Sequence, residues 1–345
     1  MRILLLLFLV NLQSDSLDAD VIIITGGLIL DGQRMTSSVE ARYYCDYMPS
    51  LPNPRATHIT TTTADGLILT CGGETTGHQA DYSCLVLDTY KPASWPILDW
   101  IHHSSLDKPR RLSSVVSLPK GLLLLGGDGS GGSSTSSFLP TGTNSWEAGP
   151  ELPRGGAEES CAVMISDHQF LIIGGSNDPH QVYEYNMQTE AWTKWPNLKE
   201  EKSGHACIKT GQDILIVGGS YEKTFKNTTT ILNISSKTQR SGGTLNIARG
   251  YFGLARFGRH IHAIGGMAVP ENAYDGPILY SMEWWDEDTE RWTLIEFGGN
   301  PGLRIGRAAF GYATVSRCPD AYAAANVTST GTTMLLLLLM CEFLC

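Results

Sequence analysis

The chain has 345 residues and a formal net charge of −10, which argues against a nucleic-acid partner, since phosphate binding needs a basic surface. With 37 glycines, 16 prolines, 42% hydrophobic and only 17% charged residues, it is neither a disordered chain nor a coiled coil. A turn-rich globular protein with a large core remains, of one large β domain or two ordinary ones.

The chain opens "MRILLLLFLVNLQSDS", with one arginine, an apolar run from Ile3 to Val10 and small residues at Ser14 and Ser16. This is the form of a signal peptide over residues 1–16, and it is too short to span a bilayer. Export is therefore expected, and the sequons at Asn227, Asn233 and Asn326 then predict N-glycosylated surface loops.

From residue 17 to 318 the sequence repeats itself. Apolar runs end in glycine pairs at "VIIITGG", "LILTCGG", "LLLLGG", "FLIIGG", "ILIVGG" and "IHAIGG". By subtraction, the first glycines, Gly26, Gly72, Gly126, Gly174, Gly218 and Gly265, stand 46, 54, 48, 44 and 47 residues apart. A period of that size marks a repeat architecture, and runs of strand length bounded by glycine make each repeat a small sheet. An arginine heads an apolar segment before most pairs, as in "NPRATHITTT", "KPRRLSSVVSL" and "IARGYFGLARF". Another strand follows each pair and then a tryptophan, at Trp95, Trp146, Trp192 and Trp292, which gives four strands per repeat.

The double glycine, the downstream aromatic and the tryptophan at this period resemble the kelch family over nearly all of Val21 to Ser316. The resemblance implies an all-β fold, a six-bladed β-propeller with four antiparallel strands per blade. A lone blade cannot bury both faces, so stacking and radial closure agree with it. The chain starts at a second strand, "VIIITGG", and ends with an unmatched first strand, "LRIGRAAFGYATVS". Those two fragments are expected to complete one blade between them. Two repeats depart from the pattern: Gln239 stands at the tryptophan position of the fifth, and Cys45 or Tyr47 at that of the first, so these blades are expected to be shorter or looser.

Eight cysteines suit an oxidising compartment. Cys71 and Cys84 fall on neighbouring antiparallel strands and are expected to form a disulfide. Cys161 and Cys207 are read as buried free thiols. The pairing of Cys45 and Cys318 is open, and Cys341 and Cys345 belong to the C-terminal tail.

The recurring polar residue is the one heading each first strand: Arg55, Arg110, Arg154, Arg249 and Arg307, with Lys202 in the fifth repeat. In proteins of the resembling family, residues there and after the glycine pair line one mouth of the ring, where peptide ligands bind. This places Glu74, Asp128, Ser176 and Ser220 at the mouth beside the arginines. Guanidiniums suit carboxylate or sulfate groups, whereas the competing reading makes each arginine a strut to backbone. His260 and His262 share one side of a strand without a third metal ligand, and His102 and His103 read as loop residues. No metal site, cofactor or catalytic set is assigned. The expected function is a monomeric, secreted or surface-attached scaffold that binds a protein or glycan through one face, without nucleic acid. The alternative is a sugar-modifying enzyme, epimerase-like or oxidase-like, with Glu74 and Asp128 as acid and base.

Residues 319–345 form a linker and a short apolar tail, "MLLLLLMCEFLC", which cannot cross a bilayer as a helix. Ala323, Ala324 and Ala325 before a polar spacer and this tail have the layout of a GPI-attachment signal.

Overall fold

Each apolar run that ends in a glycine pair is the second strand of an antiparallel sheet. The computed structural model describes residues 21–29, 34–42, 48–76, 79–88, 99–128, 134–153, 156–222, 224–268, 278–295, 303 and 305–315. Blade 2 comprises Ile59–Thr62, Ile68–Cys71, Ser83–Leu87 and Ile101–Ser105. Blade 3 comprises Ser114–Leu118, Gly121–Leu125, Ser136–Pro140 and Glu147–Ala148. Blade 4 comprises Cys161–Ser166, Gln169–Ile173, Val182–Asn186 and Ala191–Lys194. Blade 5 comprises Ala206–Thr210, Asp213–Val217, Thr229–Asn233 and Gln239–Ser241, and blade 6 Gly253–Phe257, His260–Ile264, Met282–Asp286 and Arg291–Leu294.

Blade 1 is assembled from both ends of the ring. Gly311–Val315, Val21–Thr25 and Val39–Arg42 pair in that order, with Val21 opposite Val315 and Thr25 opposite Gly311. The stretch around Cys45 and Tyr47 lies outside the described residues, as does Trp95. First strands neighbour one another from blade 2 round to blade 6 and back through Gly311–Val315 to Ile59–Thr62. The fold is thus a six-bladed β-propeller, and among the described residues it contains no helix.

The second strands are apolar without alternation because both of their faces are covered. In Gly121–Leu125, Leu122 and Leu124 pack with Leu69 and Val86 of blade 2, while Leu123 and Leu125 pack with Phe170 and Ile172 of blade 4. At about 1.5–3 kcal/mol for each fully buried leucine, these seams carry most of the apolar stabilisation.

The glycine pairs answer to a close approach between blades. Gly218 has φ +58°, and a Cβ there would stand 2.5 Å from the Arg249 carbonyl oxygen. Gly219 N–H donates to that same oxygen at 2.9 Å. The bond recurs from Gly27 to Arg55, Gly73 to Arg110, Gly175 to Lys202 and Gly266 to Arg307, at 2.7–2.9 Å.

Tryptophans tie the outer strands to the preceding blade. Trp292 donates to the Thr229 hydroxyl at 2.9 Å and Trp146 to that of Ser104 at 3.0 Å. Blade 5 is not loosened by Gln239. Its amide donates to the Asn197 carbonyl at 2.9 Å and accepts from Lys199 N–H at 3.1 Å, so the link to blade 4 is kept with a shorter side chain.

Two disulfides are present among the described residues. Cys71 pairs with Cys84 across directly opposed strand positions, Cα atoms 4.1 Å apart. Cys161 and Cys207 are bonded as well, which corrects their reading as free thiols. First strands of adjacent blades lie side by side in the ring, bringing these Cα atoms to 5.9 Å although their strands share no ladder. Cys45, Cys318, Cys341 and Cys345 lie outside the described residues.

The Cys161–Cys207 bond closes a 46-residue loop and the Cys71–Cys84 bond a 13-residue one. In the chain-entropy account these are worth about 4 and about 3 kcal/mol. Urea unfolding of Cys161→Ala/Cys207→Ala is expected to show the larger loss, with the Cys71→Ala/Cys84→Ala pair as comparator.

Candidate functional site at the collar and central channel

The heading residues are buried, at 2% exposure for Arg55, 1% for Arg110 and 0% for Lys202, Arg249 and Arg307. Each reaches into its own blade. Arg249 donates to the carbonyls of Gly265 at 2.9 Å and Ser281 at 3.1 Å and pairs with the buried Glu283 carboxylate at 2.8 Å. Arg307 does the same with Gly26 at 3.0 Å, Ser38 at 3.1 Å and Glu40 at 2.8 Å. Arg110 holds Gly126 at 2.9 Å, Arg55 holds Gly72 at 3.1 Å with Asp81 at 3.2 Å, and Lys202 holds Gly218 at 3.2 Å. Each cationic head therefore grips its own glycine pair while its carbonyl receives the N–H of the preceding one. Arg154 lies outside the described residues. In blade 4 the buried Ala157 occupies the backbone position against Gly126, and the Gln181 amide donates to the Gly174 carbonyl at 2.8 Å. Among the described residues, a neutral amide thus holds this glycine carbonyl.

Two residues beyond each heading position the chain turns into the left-handed region. Thr57, Leu112, Glu159, Gly204, Tyr251 and Ala309 have φ between +50° and +57°. Their peptides close a circle. Leu112 N–H donates to Thr57, Glu159 to Leu112, Gly204 to Glu159, Tyr251 to Gly204, Ala309 to Tyr251 and Thr57 to Ala309, all at 2.6–3.0 Å. This collar of six backbone hydrogen bonds, one from each blade, frames the mouth of the central channel.

Charged groups cluster beside the collar. Arg111, 31% exposed, binds Asp128 through Nε at 2.9 Å and an NH2 nitrogen at 2.6 Å, and Glu74 of the preceding blade at 2.9 Å. The hydrogen bond to Asp128, ahead of that to Glu74, holds its guanidinium above the ordinary range against some burial. Burial, then the carboxylates of Asp128 and Glu159, pushes the Glu158 pKa up. The Tyr251 hydroxyl donates to Glu159 at 2.8 Å, passing over Gly204, where a Cβ would meet its ring at 2.9 Å. Burial first and Glu159 second keep that hydroxyl protonated. Arg111, Glu158, Glu159 and Tyr251 escaped the sequence reading. Their only mark was the arginine doublet in "KPRRLSS" and the paired acids in "GGAEESC".

Three residues past the heading stand His58, Ser113, Ser160, His205, Phe252 and Phe310, all lining the channel. Gly311 N–H donates to His58 Nε2 at 3.2 Å, and the Thr25 hydroxyl lies 2.9 Å from the same nitrogen. Both ring nitrogens of His205 are buried with no hydrogen-bond partner. Burial holds each imidazole at a pKa of about 3, helped for His58 by Arg55 and for His205 by Lys202.

Among the other residues singled out, His260 packs on Trp284 with ring centroids 4.2 Å apart, and His262 is buried against Phe257. Among the described residues no three metal-ligating side chains converge. His102 and His103 lie in the outer strand of blade 2 and not in a loop; this edge strand exposes Ile101 and buries Ser104, so it carries no apolar alternation to reveal it. Asn227 is exposed, Asn233 is half-buried and donates to Asp213 at 2.8 Å, and Asn326 lies outside the described residues.

No family model matches the chain. A protein named acyl-CoA-binding domain-containing protein 5, from Arabidopsis thaliana, is 27% identical over 188 residues. That match covers half of this chain, which spans 28% of the relative's length.

Removing a buried cation strands its carboxylate, so Arg249→Ala is expected to cost about 3–5 kcal/mol in chemical denaturation. In acid, the unfolded chain protonates His58 and His205 below their ordinary pKa of 6.5, whereas the folded chain resists until about 3. Their contribution is complete above the unfolded value and is lost as pH falls toward the folded one, roughly 2 kcal/mol per histidine near pH 5. Urea midpoints followed from neutral pH downward are expected to fall, and less steeply in His205→Phe.

Proposed function

We propose that this chain is an exported, kelch-type propeller that serves as a monomeric scaffold and takes a protein or glycan partner on its collar face. The observation that carries this reading is Arg111, a half-buried cation fixed between Glu74 and Asp128 on two blades with part of its surface still open. Groups held in place before binding lose little entropy when a partner arrives. With the heading cations turned inward, Arg111 takes the role of contacting a partner's carboxylate or sulfate, while Glu158 and Glu159 receive its hydroxyls or amines. Two disulfides suit an oxidising compartment, and the exposed Asn227 suits a glycan. Removal of residues 1–16 and GPI attachment through the tail complete the proposal. The likeness to the plant protein adds no partner to this reading, and the acyl-CoA binding in its name stays with that protein.

Arrays of glycans and extracellular proteins probed with the glycosylated chain are the test. Arg111→Ala is expected to weaken the strongest signal at least roughly tenfold while the thermal midpoint holds within a few degrees. Equal signal from the wild type, Arg111→Ala and Glu158→Ala would place the partner elsewhere.

A further inference from the structure

On the face opposite the collar, a recess of about 610 Å³ opens between blades 3 and 4. It lies against the turns at 119–120 and 167–168, which join first to second strands at the ends remote from the glycine pairs. Leu123, Phe138, Pro150 and Met187 give it apolar walls, and Tyr185 stands among them.

Tyr185 is 8% exposed, and its ring is held against Phe170 at 5.4 Å and Trp192 at 4.8 Å between centroids. Its hydroxyl meets no hydrogen-bond partner among the described residues, and unlike the ring nitrogens of His205 it is not sealed from solvent. A buried tyrosine ordinarily finds a partner for that group. Packing does not require a phenol, because the corresponding positions of blades 3, 5 and 6 carry Leu139, Leu232 and Trp285. The rim beside it is negative. Two carboxylates, Asp167 and Glu190, stand there with one cation, Lys120, and Glu190 forms no ion pair among the described residues. Burial, ahead of the charge of Glu190, raises the Tyr185 pKa, so the phenol stays protonated within reach of that carboxylate. An ammonium would donate to both the Glu190 carboxylate and the Tyr185 oxygen, whereas a ligand carboxylate would be repelled by Glu190.

We propose that this recess binds a small arylalkylamine, its ring among Leu123, Phe138, Pro150 and Met187 and its ammonium between the Tyr185 hydroxyl and the Glu190 carboxylate. The volume lies in the range of small-molecule sites, and the net charge of −10 favours a cationic ligand. A protein partner is not favoured. The large apolar side chains exposed among the described residues, Tyr82, Ile101 and Ile305, all lie away from the recess, so no apolar surround extends it into an interface. The recess is on the other face from Arg111 and stands or falls independently of the partner proposed for the collar.

The experiment is titration calorimetry on the full chain with phenethylamine and tryptamine, and with 2-phenylethanol and phenylacetate as probes that keep the ring and lose the cation. At least one amine is expected to bind, the alcohol at least roughly fivefold more weakly and the carboxylate weakest. Glu190→Gln is expected to weaken the amine roughly tenfold and Tyr185→Phe roughly threefold or more, with Arg111→Ala unchanged. Glu190 is exposed and the amide keeps its shape, so this variant reads the site even where Tyr185→Phe fails to fold. No amine binding at millimolar concentration, phenylacetate binding as tightly as phenethylamine, or an amine affinity unmoved by Glu190→Gln would each overturn the proposal. So would an unmoved affinity in a folded Tyr185→Phe.

Discussion

One joint, repeated around the ring, sets the position of everything else: a glycine N–H of one blade bonded to the heading carbonyl of the next, with the heading side chain gripping its own blade's glycine carbonyl. Side chains at the glycine positions would collide with backbone there, so the joint excludes every other residue type. A planar guanidinium reaches two carbonyls and a carboxylate at once, which explains why arginine fills most heading positions. Lys202 and Gln181 show that fewer donors suffice when neighbouring joints hold. The collar lies two residues further along, so its circle of peptides closes because the joints have already fixed each blade's distance from the axis.

The repeat gives the protein its shape, and single departures from the repeat give it chemistry. At the position three past the heading, one architecture accommodates His, Ser, Ser, His, Phe and Phe in turn. Only blade 3 doubles its arginine, and only blade 5 has glycine in the collar, the gap through which Tyr251 reaches Glu159. Each of these is tolerated because the backbone around it is held by bonds that do not involve the side chain.

Period, strand order and closure by the two chain ends were legible because each depends on local apolar runs and glycine spacing. The part played by the heading arginines was legible only as one of two readings, and the strut to backbone is the one that holds, with each side chain turned to its own blade and not the next. Whether a guanidinium faces solvent or backbone depends on how deep the next blade seats, and no local pattern encodes that depth. The Cys161–Cys207 bond was hidden for a related reason: it joins strands that are lateral neighbours in the ring without pairing. Ala157 against Gly126 was obscured by extra residues before the first strand of blade 4, which shift the count that the repeat suggests. Unpartnered imidazole nitrogens leave no trace in sequence at all.

The pairing of Val21 with Val315 fixes a direction. Both residues sit at the strand ends remote from Gly26 and the collar, so the chain enters and leaves the ring through the same side. A tether attached beyond Val315 would pull from that side and leave the collar as the outward pole. A large partner of such a tethered ring would then meet the collar from open solution, with no part of the tether in its way.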